Sequence, residues 1–366
     1  MVRHFLKSHI VFLVALAAAI VSCFIIPPNK DYLSYIDYKT LVCLFSTLAV
    51  VCALKNIKFF SITARKIITK FKNFRICALV LIYITFIGSM FIANDMALIT
   101  FLPLGWYVLS ETNNEKYTPY LFVLQNISAN LGGMLTPFGN PQNLYLYSKF
   151  NIPTWEFLKI MFPPFILAIA LLTVCCFMFP SKEISVVNKE YFVFRKKRTV
   201  IYLILFVLSI LMVFSIIPYY IGIGIIFLAI LFLDRYAIYR VDYFLLATFF
   251  MFFIFAGNVS QIPAVREMFS NLLEKNTFLV TVGSCQVISN VPSAILLSQF
   301  TDNYKELLLG VNIGSAGTMI SSLASLITFS EYCRFKTGSK GKYFLVFTLF
   351  NLGFLVLLGT LAMFLR

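Results

Sequence analysis

NISANLGGMLTPFGNPQN, residues 126–143, interrupts a helical pattern in a chain built of apolar runs; its eighteen residues hold four Asn, three Gly, two Pro and one Thr. It lies between YLFVL and LYLYSKF, segments apolar enough to be membrane-buried. Proline removes a backbone donor and glycine admits close backbone approach, so this stretch opens a helix instead of only packing one. Open backbone at bilayer depth is tolerated only where protein or a wet cavity surrounds it. The interruption therefore marks a place where polar backbone is kept away from lipid.

The rest of the chain supports the membrane setting. Of its 366 residues 60% are hydrophobic and 12% charged, with a mean hydropathy of +0.88, far too apolar for soluble domains. The formal charge of +15 does not point to nucleic acid, because Lys and Arg gather in short segments between apolar stretches, the pattern that orients membrane proteins. The eight cysteines lie mostly in apolar runs with no C-x-x-C pair, and read as small apolar side chains. His4 and His9, the only histidines, flank the first apolar segment, which argues against a zinc site or a histidine proton relay.

Nine segments are long enough to cross: 10–27, 40–54, 119–147, 157–180, 199–218, 219–233, 243–259, 305–332 and 343–365. Two further apolar regions are split by polar breaks, IANDMA at 92–97 and ISNVPS at 288–293. The limbs of the second have about a dozen residues, or about 18 Å of helix, too short to cross, so a re-entrant hairpin is expected. The longer limbs of the first fit either a re-entrant hairpin or two crossing helices. With a cytoplasmic N-terminus, 22 of the 30 Lys and Arg fall on the inside, as the positive-inside rule requires. The basic run 55–75, with apolar residues interleaved, reads as an interfacial amphipathic helix against anionic lipid.

An internal repeat is visible. IDYKTLVCLF from Ile36 and VDYFLLATFF from Val241 share Asp, Tyr, a Leu and the final Phe, and each precedes an Asn-bearing break (Asn94, Asn290) and then a Gly-containing interrupted helix. ANLGGMLTPFGNPQNLYLYSKF from Ala129 aligns without gaps on VNIGSAGTMISSLASLITFSEY from Val311. The unpaired segment 199–218 makes the number of crossings between equivalent points odd, so the halves are inverted. The expected fold is an all-α polytopic membrane protein with inverted structural repeats, about nine spanning helices, two re-entrant hairpins and two interrupted helices. Residues 1–180 form the first repeat (hairpin near 74–110, interrupted helix 119–148). Residues 181–198 are a cytoplasmic basic linker, and 199–366 the second repeat (hairpin near 277–301, interrupted helix 305–332).

Paired interrupted helices place a solute and a coupling ion near the midplane: freed carbonyls ligate a cation and half-helix N-termini favour an anion. The first interruption offers Thr136, Gly139, Asn140 and Asn143; the second offers Thr318, Ser321, Ser322 and Ser325, for which close helix packing is the competing reading. Asp95 is the one carboxylate in a membrane-embedded break, and reads as sodium ligand, proton carrier or helix N-cap. Its repeat counterpart is Val291. No Lys or Arg maps to the midplane, so an anionic solute would be held by backbone amides, Asn, Ser and Thr beside a co-bound cation.

At ANDMALITFLPL, ANLGGMLTPFGNPQN, SNVPSAILL and GVNIGSAGTMISSLASL the sequence resembles the ion transporter superfamily of citrate permeases, divalent-anion/sodium symporters, arsenite/antimonite permeases and certain sodium/proton antiporters. SSLASL is similar to the arsenite-permease version of its motif, and the first tip reads Ala-Asn-Asp where the symporters carry Ser-Asn-Thr. The resemblance implies hairpin tips facing interrupted helices. Asn94 and Asp95 with Gly139 to Asn143 make one half-site, and Ser289 and Asn290 with Ser321 to Ser325 the other. Cation ligands would come from Asn94, Asp95, Gly139, Asn140, Ser289 and Asn290. Solute ligands would come from Thr136, Asn143, Asn290, Thr318, Ser321, Ser322 and Ser325. It also implies a homodimer in an inner cell membrane, with a hairpin-bearing body moving against a scaffold in an elevator manner. The expected function is secondary transport of a small anionic solute, such as citrate or another carboxylate, coupled to sodium or protons and using no resident cofactor. The alternatives are arsenite or antimonite efflux and sodium/proton antiport. A membrane enzyme is more remote, since no cluster of catalytic acids, bases or metal ligands stands out in the short loops.

Overall fold

The computed structural model describes residues 10–184, 195–335 and 338–365. His4, His9 and most of the basic linker at 181–198 lie outside the described residues. Those described form helices joined by short connections, with one isolated bridge, Asn73 to Glu183. The fold is that of an all-α polytopic membrane protein: Tyr38–Asn56, Phe74–Phe91, Thr154–Cys176, Tyr219–Tyr239, Tyr243–Ser260 and Lys340–Phe364 are each long and apolar enough to cross a bilayer.

In chain order the helices are α1 (Ile10–Ile25), α2 (Tyr32–Tyr35), α3 (Tyr38–Asn56), α4 (Phe59–Ile68), α5 (Phe74–Phe91) and α6 (Asn94–Glu111). Then come α7 (Thr118–Gly132), α8 (Pro141–Lys149), α9 (Thr154–Cys176), α10 (Lys196–Val213), α11 (Tyr219–Tyr239) and α12 (Tyr243–Ser260). The chain ends with α13 (Pro263–Ile288), α14 (Asn290–Leu297), α15 (Tyr304–Ile313), α16 (Leu323–Arg334) and α17 (Lys340–Phe364).

Local chemistry explains where they start. Asp37 accepts a hydrogen bond from the Thr40 amide at 2.9 Å and Asp242 one from the Leu245 amide at 2.9 Å, so each Asp-Tyr pair shared by the sequence repeats is an N-cap followed by its helix. Helix α4 buries Ile62, Ala64 and Ile68 and leaves Lys66 exposed, the one-sided pattern expected of an interfacial helix.

The two split regions differ in length. Helices α5 and α6 have 18 residues each, about 27 Å, so the first pair reaches nearly across a bilayer. In the second, α13 bends at Asn276 (φ −167°, ψ 88°). The Glu306 carboxylate accepts the freed Phe278 amide at 2.9 Å and Asn276 accepts that of Leu279 at 2.9 Å. Beyond the bend, a limb over 277–288 spans about 18 Å and leads into α14, eight residues or about 12 Å long.

Packing sorts the helices into two groups, which meet where α12 packs on α13 and α14 and α3 packs on α8. Helix α1 lies along α12, and α3 along α11 and α10. In the other group each hairpin is shared between the halves of the sequence. Helices α5 and α6 pack on α7, and α6 also on α16; α13 and α14 pack on α15, and α14 also on α8. Helices α9 and α17 flank this body, α9 against α5 and α7, α17 against α7 and α15.

Candidate functional site

The tips are built alike. Asn94 opens α6 and its side-chain oxygen accepts the Asp95 amide at 3.0 Å; Asn290 opens α14 and accepts the Val291 amide at 2.9 Å. Asp95 thus is not its helix's cap: that position is Ala93, and no side chain caps this helix. Ser289 holds φ 74°, ψ 161°, a conformation strained by about 1–3 kcal/mol for a residue with a side chain. Its hydroxyl and the Asn290 amide both donate to the Ser321 carbonyl, at 3.3 and 3.0 Å, which fixes this tip to the second interruption.

Both interruptions form as open segments. Helix α7 passes through a 3₁₀ turn at Gly133–Leu135 and restarts at Pro141, the position where a missing N–H costs a helix nothing. The Asn143 amide donates to the carbonyls of Gly133 (3.2 Å), Met134 (3.3 Å) and Thr136 (3.4 Å), and the Asn140 amide to that of Asn130 (3.2 Å). Gly139 lies so close to the Gly133 carbonyl that a Cβ there would collide with it. The second interruption runs from Ile313 to Leu323, where the Ser322 hydroxyl caps α16 by accepting the Ala324 amide at 3.2 Å.

Asn130 joins the two halves: its side-chain oxygen accepts from the Asn94 amide at 3.0 Å and from the Ser322 hydroxyl at 2.8 Å. Asn312 donates to Asn143 at 2.6 Å; Asn126 donates to Ser325 at 3.2 Å and accepts from Thr328 at 3.3 Å. In front of this cluster is a cavity of about 40 Å³ between the tips, the starts of α8 and α16, and helices α1 and α12. That volume holds a few waters, well short of a tricarboxylate.

The arrangement leaves buried polar atoms with no partner in the protein: Asp95 Oδ1, Asn130 Nδ2, Asn140 Oδ1, Asn312 Oδ1 and both amide atoms of Gln142. A buried group in that condition costs about 1–3 kcal/mol unless something else satisfies it. Buried oxygens and amide nitrogens without partners in one region suit a small cation beside a polar or anionic solute, and no Lys or Arg is among the lining residues.

Of the residues expected from sequence, Asn94, Asp95, Ser289, Asn290 and Ser322 line this cavity. Gly139, Asn140 and Asn143 lie behind Pro141, buried in the break, and Ser325 is buried against Asn126. The Ser321 hydroxyl donates to the carbonyls of Ser315 and Thr318, both at 2.8 Å, and so braces the loop. Thr136 and Thr318 lie off the cavity and tie each break to its hairpin, through the carbonyl of Met90 at 2.8 Å and that of Gln286 at 3.1 Å. Sequence reading did not select Asn126, Asn130, Asn312 or Thr248, and reached Gln142 only within the span Gly139 to Asn143. Asn126 and Asn130 stand four apart on one helix face, which was a legible signal. Thr248, on α12, enters the cavity wall only through the fold.

Residues 4–304 match the citrate transporter family. The chain is 34% identical over 296 residues to an uncharacterized transporter of Methanocaldococcus jannaschii, covering 80% of each. It is 29% identical over 308 residues to inner membrane protein YbiR of Escherichia coli, covering 81% of each. An uncharacterized transporter of Haemophilus influenzae is 31% identical over 137 residues, 36% of this chain and 30% of that one.

Proposed function

Because this multi-pass membrane protein belongs to the citrate transporter family, we propose that it is a secondary transporter of a small anionic solute, citrate or another carboxylate, driven by sodium or protons. The observation that carries this reading is the convergence of both tips and both interruptions on one cavity, with unpartnered Asp95 and Gln142 atoms in residues of its wall and those of Asn130, Asn140 and Asn312 outside its lining. Asp95 on its wall and Asn140 behind Pro141 ligate the cation, helped by backbone of Gly139 and the tips at Asn94, Ser289 and Asn290. Gln142, Asn290 and Ser322 face the solute, with the positive ends of α8 and α16 behind them.

The cavity's size supports a moving-body mechanism. With about 40 Å³ between the tips and helices α1 and α12, a carboxylate enters only when the two groups of helices separate. We assign the halves 1–180 and 199–366 as repeats from the matched caps at Asp37 and Asp242 and the matched ties at Thr136 and Thr318, and as inverted from the unpaired segment 199–218. We further assign the N-terminus to the cytoplasm, the protein to the inner membrane, and the working form to a homodimer.

The test is uptake of labelled citrate, succinate and sulfate into proteoliposomes under an imposed sodium or proton gradient. Gradient-driven accumulation that is lost in Asp95→Ala and Asn140→Ala supports the assignment; accumulation unchanged in both variants overturns the cation site. The lack of any basic residue on the cavity wall favours a second reading, transport of a neutral oxyacid such as arsenous acid, with arsenite efflux as its readout.

A further inference from the structure

The two interruptions are held open in different ways. In the first, Pro137 and Pro141 fix two backbone angles, and the remaining carbonyls are taken up by Asn143 and Asn140 of the same interrupted helix. The second carries no proline, and Ser325 stands where Asn143 would be, with a hydroxyl turned to Asn126 instead.

Within the second break the Ser321 hydroxyl braces the loop, but the side-chain amide that takes up its Gly314 and Ala316 carbonyls comes from outside it. Gln286, on the first limb of the second hairpin, donates from Nε2 to the carbonyls of Gly314 at 2.9 Å and Ala316 at 3.5 Å, and accepts the Thr318 amide on Oε1 at 2.8 Å. Its own carbonyl accepts the Thr318 hydroxyl at 3.1 Å. Gly317, at φ +134°, packs so tightly on the Gln286 amide that no Cβ fits there. In the first half the matching position is Met90, which has no amide to offer; only its carbonyl is used, by Thr136.

We infer that Gln286 is the positioning residue of the second half-site, replacing with a side-chain clamp what prolines do in the first. The clamp runs between elements, so the second break and its hairpin move as one piece, and the Ser321 carbonyl is presented to the tip at Ser289 and Asn290 only while Gln286 holds the loop. In the first break the side-chain amides come from its own interrupted helix; Thr136 ties it to the hairpin at Met90, and among the described residues no backbone hydrogen bond links Asn94 to Gly139. This inference rests on reading the two breaks as halves of one site.

The test is hydrogen–deuterium exchange on the full-length protein in nanodiscs, comparing 314–322 with 133–140 in wild type, Gln286→Met, Gln286→Glu and the double variant Gln286→Met, Leu323→Pro. Exchange in 314–322 should rise about tenfold in Gln286→Met with 133–140 unchanged, and to a lesser degree in Gln286→Glu, which keeps the acceptor for Thr318. Leu323→Pro should restore protection, because Leu323 is the first residue of α16 and the preceding Ser322 is already extended, the setting that proline needs. A parallel titration monitors thermal unfolding against sodium chloride, with choline replacing sodium, and the half-maximal concentration should rise about fivefold in Gln286→Met. Exchange within twofold of wild type, equal loosening of both breaks, or failure of the proline to rescue overturns the inference. A wild type indifferent to sodium refutes the coupling reading instead, and the exchange comparison still decides this one.

Discussion

Asn130 accepts from a tip on one side and from the second interruption on the other. Replacing it by alanine leaves the Asn94 amide and the Ser322 hydroxyl unpaired where water is scarce. Asn130→Ala should therefore lower stability by about 2–4 kcal/mol and reduce transport sharply, measured as the thermal unfolding midpoint and the proteoliposome uptake rate. At Asp95, Asp95→Asn keeps the shape and removes the charge. It should abolish cation dependence at near-normal stability, and uptake with an unchanged cation requirement would remove Asp95 from the coupling site. Asn94, Asp95, Asn140 and Ser322 were legible because polar side chains are expensive in an apolar chain and stand out there. Gln142 was included only within the span Gly139 to Asn143, with no role of its own, because the prolines and asparagines beside it already accounted for the break. For Thr136 and Thr318 sequence left the role open, because a hydroxyl near a broken helix serves equally as ligand or as tie; only the third dimension turns them toward Met90 and Gln286.

Among the elements, the contact between α5 and α7 is set by Gly132, where a Cβ would collide with the Phe86 carbonyl and the Ser89 hydroxyl. Gly132→Ala should lower the unfolding midpoint by the equivalent of about 1–3 kcal/mol, as a wedge between closely packed helices does. Gly353→Ala in α17 is the control, since nothing lies within 4 Å of its Cβ position, and it should be neutral or stabilising by up to about 1 kcal/mol. Equal losses in the two would show that glycine content, and not this close approach, matters. Element positions were readable from hydropathy and break residues, including the short limbs of the second hairpin. The bend at Asn276 was not, because its cause, the Glu306 carboxylate, comes from a helix later in the chain. The full length of α5 and α6 likewise left their crossing open at the sequence level, since 18 residues sit at the margin of bilayer thickness.

At the scale of the whole molecule, motion between the groups should be stoppable at the cavity. Leu245 on α12 and Val291 at the second tip both line it. In a background with the eight native cysteines replaced, Leu245→Cys with Val291→Cys should lose transport on oxidation and regain it on reduction. Transport that survives a verified cross-link would rule out relative movement there. A hairpin-bearing body beside a scaffold was an expectation from the family resemblance alone, and which helix lies beside which was not legible, because many packing partners come from opposite halves: α1 with α12, α3 with α11, α6 with α16, α14 with α8. This interleaving bears on synthesis. When the ribosome has delivered only the first half, Asn126, Asn130, Asn143 and Tyr145 have been inserted before their partners Ser325, Ser322, Asn312 and Ser298 exist. The nascent first half is thus a provisional insertion in which Asn126 lacks both its partners and Asn130 and Asn143 lack one each, and it should be open to quality-control proteases until translation is nearly finished. A substitution such as Ser322→Ala should then first be noticed as a protein that is made and promptly degraded.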